Sequence, residues 1–142
     1  MTKAQQNNLP QLGRNPVSEV VKAMTLDEKV SLLVGGGMFV PGMQMPGAPS
    51  QASDAQKRVT GAAGTTIAIP RLGIPAIVVC DGPAGIHAFN GGKSRIYYAT
   101  AWPTGTLLAS SWDTSLVKKV GVALGGEAKE YGIDILLGPG MN

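Results

Sequence analysis

A chain of 142 residues is long enough for one ordinary domain with its own core, and 44% hydrophobic content with a mean hydropathy of +0.11 marks it as globular rather than disordered. Twelve Lys and Arg against nine Asp and Glu give a net charge of +3, but the basic residues are scattered, with Lys57-Arg58 and Lys118-Lys119 the only adjacent pairs, which argues against a nucleic-acid-binding stripe. The single cysteine, Cys80, excludes an internal disulfide and a multi-cysteine metal site, and no run approaches the roughly 18 apolar residues that a bilayer span requires.

Residues 1–14, rich in Gln and Asn, read as a flexible polar arm ahead of a domain over 15–142. The arm lacks the apolar core of a signal peptide, so the compartment is open: cytoplasmic, or periplasmic if a signal has been removed. Asn15-Pro16 reads as a helix start, with Asn15 as N-cap and proline at the first helical position. Val17, Val20, Val21 and Met24 then fall on one face. Thr25-Leu26-Asp27-Glu28 is a capping-box pattern for a second helix that carries Val30, Leu32 and Leu33 and stops at Gly35.

From Met38 to Ala63 the composition turns to Pro, Gly, Met, Gln and Ser without a sustained period, which reads as an active-site flap or a partly disordered insertion. Met38, Met43 and Met45 either line a ligand groove or sit in a loop that contains methionine. Ala76 to Cys80 is an apolar, β-branched run with the pattern of a strand buried on both faces. It ends in Asp81-Gly82-Pro83-Ala84-Gly85, followed by the sole histidine, His87. Pro103-Thr104-Gly105 breaks the next segment, and Thr106 to Ala109 is a short apolar piece. Asp113 then caps a helix from Thr114 to about Tyr131, whose core stripe is Leu116, Val120, Leu124 and Ala128, with Glu127 and Glu130 on a solvated face. Gly121 and Gly125 cost that helix about 1 kcal/mol each, a loss that close approach to a sheet would offset. Gly132 ends it, and Ile133 to Leu137 reads as a second buried strand running into Gly138-Pro139-Gly140. Strand, helix, strand in this order is a βα pattern with parallel neighbours.

Among the acidic residues, Asp81 alone lies where a parallel strand delivers a side chain to the ligand-bearing end of a sheet. It either contacts a ligand or caps its own Gly82-Pro83-Ala84 turn. His87, six residues on, shares that rim or is a hydrogen-bonded loop residue. Trp102 and Trp112 either stack on a sugar face or pack in the core, and Cys80, inside the strand, reads as a small core residue. The turns at Gly82–Gly85 and Gly138–Gly140 match no phosphate-binding fingerprint, and no cofactor or metal is expected.

Six ordered segments together resemble glycoside hydrolase family 3, which includes β-glucosidases and β-xylosidases. They are Met24-Thr25-Leu26-Asp27-Glu28-Lys29, Ile69-Pro70-Arg71-Leu72-Gly73-Ile74-Pro75, Asp81-Gly82-Pro83-Ala84-Gly85, Ala99-Thr100-Ala101-Trp102-Pro103-Thr104-Gly105, Trp112-Asp113 and Leu136 to Asn142. The resemblance implies an α/β fold, the first two or three βα units of a (β/α)8 TIM-type barrel with a long Gly/Pro/Met-rich loop, since a whole barrel takes about 250 residues. It puts the family's sugar-binding aspartate on Asp81, with His87 and Trp102 as possible rim residues; relatives often carry phenylalanine at the Trp102 position. A retaining glycosidase needs two carboxyls about 5–5.5 Å apart. The family's nucleophile and acid/base follow the Gly-Pro-Gly segment, so neither role falls on a residue of this chain. The implied partners are a β-glycoside or oligosaccharide substrate and the remainder of a glycosidase chain, with no nucleic acid and no membrane. The alternative is a non-catalytic carbohydrate-binding or assembly module that keeps the same strands.

Overall fold

The computed structural model describes residues 9–40, 42–43, 52–89 and 98–140. In chain order these form α1 (Val17–Ala23), α2 (Leu26–Val34), α3 (Asp54–Arg58), β1 (Gly64–Thr65), a 3-10 turn (Pro70–Leu72), β2 (Val78–Asp81), α4 (Gly105–Ser110), α5 (Thr114–Glu130) and β3 (Ile135–Leu137). Among the described residues the sheet is three-stranded and mixed, in the order β1-β2-β3. β3 lies parallel to β2, with Val79 opposite Ile135 and Asp81 opposite Leu137. This is the strand, helix, strand unit the sequence predicts. β1 runs antiparallel to β2. Among the described residues the sheet thus holds one parallel crossover and one antiparallel strand, a partial α/β arrangement.

Two apolar clusters hold these elements. One joins Val59 and Ala62 after α3, Val78 and Cys80 on β2, Ile86, Ala128 on α5 and Ile133. The other joins Val20 and Met24 from α1 to Ile69 and Leu72 around the 3-10 turn. Fully burying a side chain such as Val78 or Leu72 contributes about 1.5–3 kcal/mol. The second cluster is fastened by a polar clamp. Thr25 Oγ1 accepts from the Glu28 amide at 3.2 Å, and Glu28 Oε2 accepts from the Thr25 amide at 2.8 Å, which is the predicted capping box. The same carboxylate takes Arg71 Nε on Oε1 at 2.6 Å and Arg71 Nη2 on Oε2, and Nη2 also donates to the Ala23 carbonyl at 2.9 Å. Residues 9–14, read as part of an arm, are tied to the same turn: the Leu12 amide donates to the Leu72 carbonyl and Gln11 Nε2 to the Arg71 carbonyl, both at 2.9 Å.

Five sequence expectations change. Asn15 does not cap α1; its Oδ1 accepts from the Gln11 amide at 3.0 Å, and Pro16 holds the cap position without a side-chain bond. The second half of the Met38–Ala63 stretch is not irregular, because Ser53 and Gln56 form a capping box that starts α3. Its amide turns inward to donate from Gln56 Nε2 to the Gly36 carbonyl at 2.6 Å. β3 is not buried: Ile135 and Leu137 are exposed and only Leu136 is half-buried. Gly121 and Gly125 approach no sheet, since a Cβ added at either would meet nothing within 4 Å. The stripe of α5 is buried only at its C-terminal end, at Ala128, and becomes exposed by Leu116.

Candidate functional site

β2 places Asp81. Val78 and Cys80 point into the core at 0% exposure, and the alternation of a strand leaves the next residue, Asp81, at the surface of the sheet's C-terminal end. Burial in this strand also raises the pKa of the Cys80 thiol, whose Sγ donates to the His87 carbonyl at 3.6 Å. Past Asp81 the chain makes a tight turn and comes back: the His87 amide donates to the Asp81 carbonyl at 2.9 Å in an antiparallel bridge. Bridge partners present their side chains on one face. Asp81 and His87, both exposed, are thus neighbours at this end of the sheet. The Asp81 carboxylate has no hydrogen-bond partner among the described residues, so the turn-cap alternative is not what the structure displays.

The turn between them is closely packed. Gly82 (φ +147°) and Gly85 (φ +130°) both hold conformations that residues with a Cβ rarely adopt. A Cβ on Gly82 would overlap the Gly85 carbonyl oxygen, and one on Gly85 would overlap that of Thr100. Two other segments seat against this turn. After β3, the loop at Gly138 abuts Pro83, whose Cα would lie 3.0 Å from a Cβ added there. Across from it, the Trp102 amide donates to the Ala84 carbonyl at 2.9 Å, and Trp102 Cδ1 lies beside Gly85. The ends of two parallel strands and the 98–102 segment therefore converge on the turn that follows Asp81, whose carboxylate has no hydrogen-bond partner among the described residues. Convergence of loops at the C-terminal edge of parallel strands is the usual geometry of a ligand site in α/β folds.

Of the other sequence candidates, Trp102 packs on the Ala84–Gly85 turn and is half-buried, with its Nε1 unpaired among the described residues. Trp112 is 93% exposed between α4 and α5, so it does not pack in the core. Met38 is half-buried, Met43 is exposed, and Met45 lies outside the described residues. Asp134, at the opposite end of its strand, accepts from the Val78 amide at 2.8 Å and pairs with Arg58, a structural role. Among the described residues no three His, Cys, Asp or Glu side chains gather in a metal-binding group, and no helix is long and apolar enough to cross a membrane.

The residue that sequence reasoning misplaced is Glu127. It is not on a solvated face; its Oε1 accepts from the Thr100 amide at 2.8 Å and from the Thr100 hydroxyl at 3.1 Å. Its position, three beyond Leu124 on the core stripe and four before Tyr131, was the available signal.

No family model matches the chain. It is 34% identical over 128 residues to a β-glucosidase of Rhizobium radiobacter, covering 89% of this chain and 12% of that protein. Its structure superposes on β-glucosidase 3B of Thermotoga neapolitana, solved in complex with glucose, with a TM-score of 0.66 and 42% identity over 89% of this chain and 16% of that one. A β-glucosidase from Paenibacillus barengoltzii gives a TM-score of 0.63 and 31% identity over 99% of this chain and 15% of that one. The chain thus spans between about a tenth and a sixth of the length of such relatives. Likeness in sequence and in three dimensions agrees with the ordered motifs, and over the stretch it shares with them the chain corresponds to a segment of the family 3 β-glucosidases.

Proposed function

We propose that the chain is the N-terminal part of the barrel domain of a retaining β-glycosidase of β-glucosidase type, which releases terminal β-linked sugars, and that its own contribution is to bind the sugar through Asp81. The observation that carries this reading is the exposed Asp81 carboxylate at the C-terminal end of β2, without a hydrogen-bond partner among the described residues and followed by a turn on which the loop of the parallel strand β3 packs. Kinship to β-glucosidases, one of them solved with glucose, supports the substrate class. A carboxylate suits the task because it offers several acceptor sites to adjacent hydroxyls, and charge-assisted bonds of this kind contribute roughly 1.5–3 kcal/mol each. Hydrolysis with retention needs a nucleophile and a general acid/base flanking the scissile bond. The family resemblance puts both in segments that follow Gly138-Pro139-Gly140, so on this reading the chain binds and its complement supplies the chemistry.

The test is an aryl β-glucoside assay of the chain alone and of the complete enzyme that carries it. The isolated chain is expected to show no turnover, and turnover by it would sink the assignment. In the complete enzyme Asp81→Ala is expected to raise KM severely, and unchanged kinetics would remove Asp81 from the sugar site. Saturable heat on titrating the isolated chain with glucose, without turnover in any assembly, would identify a stand-alone carbohydrate-binding module instead.

A further inference from the structure

The turn that carries Asp81 is held from behind by α5. Glu127 and Tyr131 stand four residues apart, a spacing that puts both on one face at the end of the helix. Both reach the same strap of backbone: Glu127 Oε1 takes the amide and hydroxyl of Thr100, and the Tyr131 hydroxyl donates to the Tyr98 carbonyl at 2.5 Å. The strap passes the hold forward. Trp102 donates its amide to the Ala84 carbonyl, and the Thr100 carbonyl fills the space where a side chain on Gly85 would stand. A continuous set of bonds and close contacts therefore runs from α5 through residues 98–102 to the turn that begins at Asp81.

From this we infer that Glu127 is a positioning residue: by clamping the 98–102 strap to α5 it fixes the Ala84–Gly85 backbone, and so sets where the Asp81 carboxylate is presented to the sugar. The inference rests on the reading of Asp81 as a sugar acceptor. A carboxylate fits the role because one of its oxygens serves two donors of a single residue. Its removal leaves the Thr100 amide without that acceptor and frees the strap to drift. Displacements of about 1 Å at a distance from the chemistry cost up to about a hundredfold in rate, so a modest drift has a measurable effect.

Two readouts separate this inference from the one it rests on. In the complete enzyme, amide hydrogen exchange of Glu127→Ala should show protection at Thr100 and Trp102 falling by roughly tenfold or more, while Glu130→Ala on the exposed side of the helix leaves both unchanged. In the complete enzyme, Glu127→Ala should raise KM roughly tenfold, and the double variant with Asp81→Ala should be no worse than Asp81→Ala alone, since both act on one contact. Glu127→Gln keeps an oxygen for the Thr100 amide and should recover most of the lost KM; where the alanine variant does not fold, Thr100→Ala, which removes one of the two donors, must show the same non-additivity with Asp81→Ala. Unchanged exchange, an unmoved KM, or additive effects of the two sites would overturn the role of Glu127. An effect of Glu127→Ala on exchange together with wild-type KM in Asp81→Ala would instead overturn the sugar-binding assignment.

Discussion

Arg71 grips Glu28 with two N–H donors across 43 residues of sequence, and Glu28 keeps its helix-capping bond at the same time. The pair ties the start of α2 to the 3-10 turn that precedes β2. The Arg71 bonds, with the Thr25 amide second, lower the Glu28 pKa from its ordinary 4.5 to about 2. Because the folded value lies below the unfolded one, the stabilisation is fully present above about pH 4.5 and is lost as pH falls toward 2. Glu28→Gln should therefore flatten the acid limb of a stability profile between those values, as followed by urea unfolding at a series of pH values. An unchanged acid limb would remove Glu28 from the clamp.

The apolar residues packed against α1 and those on α2 differ in what covers them. Leu72 is at 0% exposure between α1 and the sheet's approach, whereas Leu33 on α2 is 88% exposed. Leu72→Ala should cost about 2–5 kcal/mol, read from the shift in denaturation midpoint. Leu33→Ala should stay within about 0.5 kcal/mol. Equal losses at the two positions would show that α2 is covered in solution.

Cys80 is fully buried in β2 and its thiol pKa is raised by loss of water. A thiolate is the species that reacts, so an aromatic disulfide reagent should leave Cys80 unmodified in the folded chain. Labelling should appear in step with unfolding by denaturant. Fast stoichiometric labelling without denaturant would mean that β2 opens readily.

Two glycine-to-alanine substitutions should act in opposite directions. At Gly85 the positive φ and the Thr100 carbonyl both oppose a methyl group, so Gly85→Ala should destabilise by about 1–3 kcal/mol. At Gly121, inside α5 with open space around it, alanine should stabilise by about 0.5–1 kcal/mol. Thermal melts of the two variants check both signs.

The local chemistry of this chain was written in adjacent residues. Thr25 and Glu28 predict their capping box, Asp113 and Gly132 mark the ends of α5, and a β-branched run marks β2, because capping bonds and strand propensity act over a few residues. The capping box of Ser53 and Gln56 was equally readable and was hidden by the glycine and proline around it. The ordered motifs identified the family and singled out Asp81. What only the tertiary structure decided is which groups meet. That Asp81 faces His87, that β1 runs against β2, that the Gly138 loop and Trp102 close on one turn, and that Glu127 faces Thr100 rather than water all depend on pairings between distant segments. Residue spacing along a helix or strand fixes which face a side chain occupies, but not which face finds a partner. For this reason α5 carries an even apolar stripe in sequence and buries only the end that reaches the sheet.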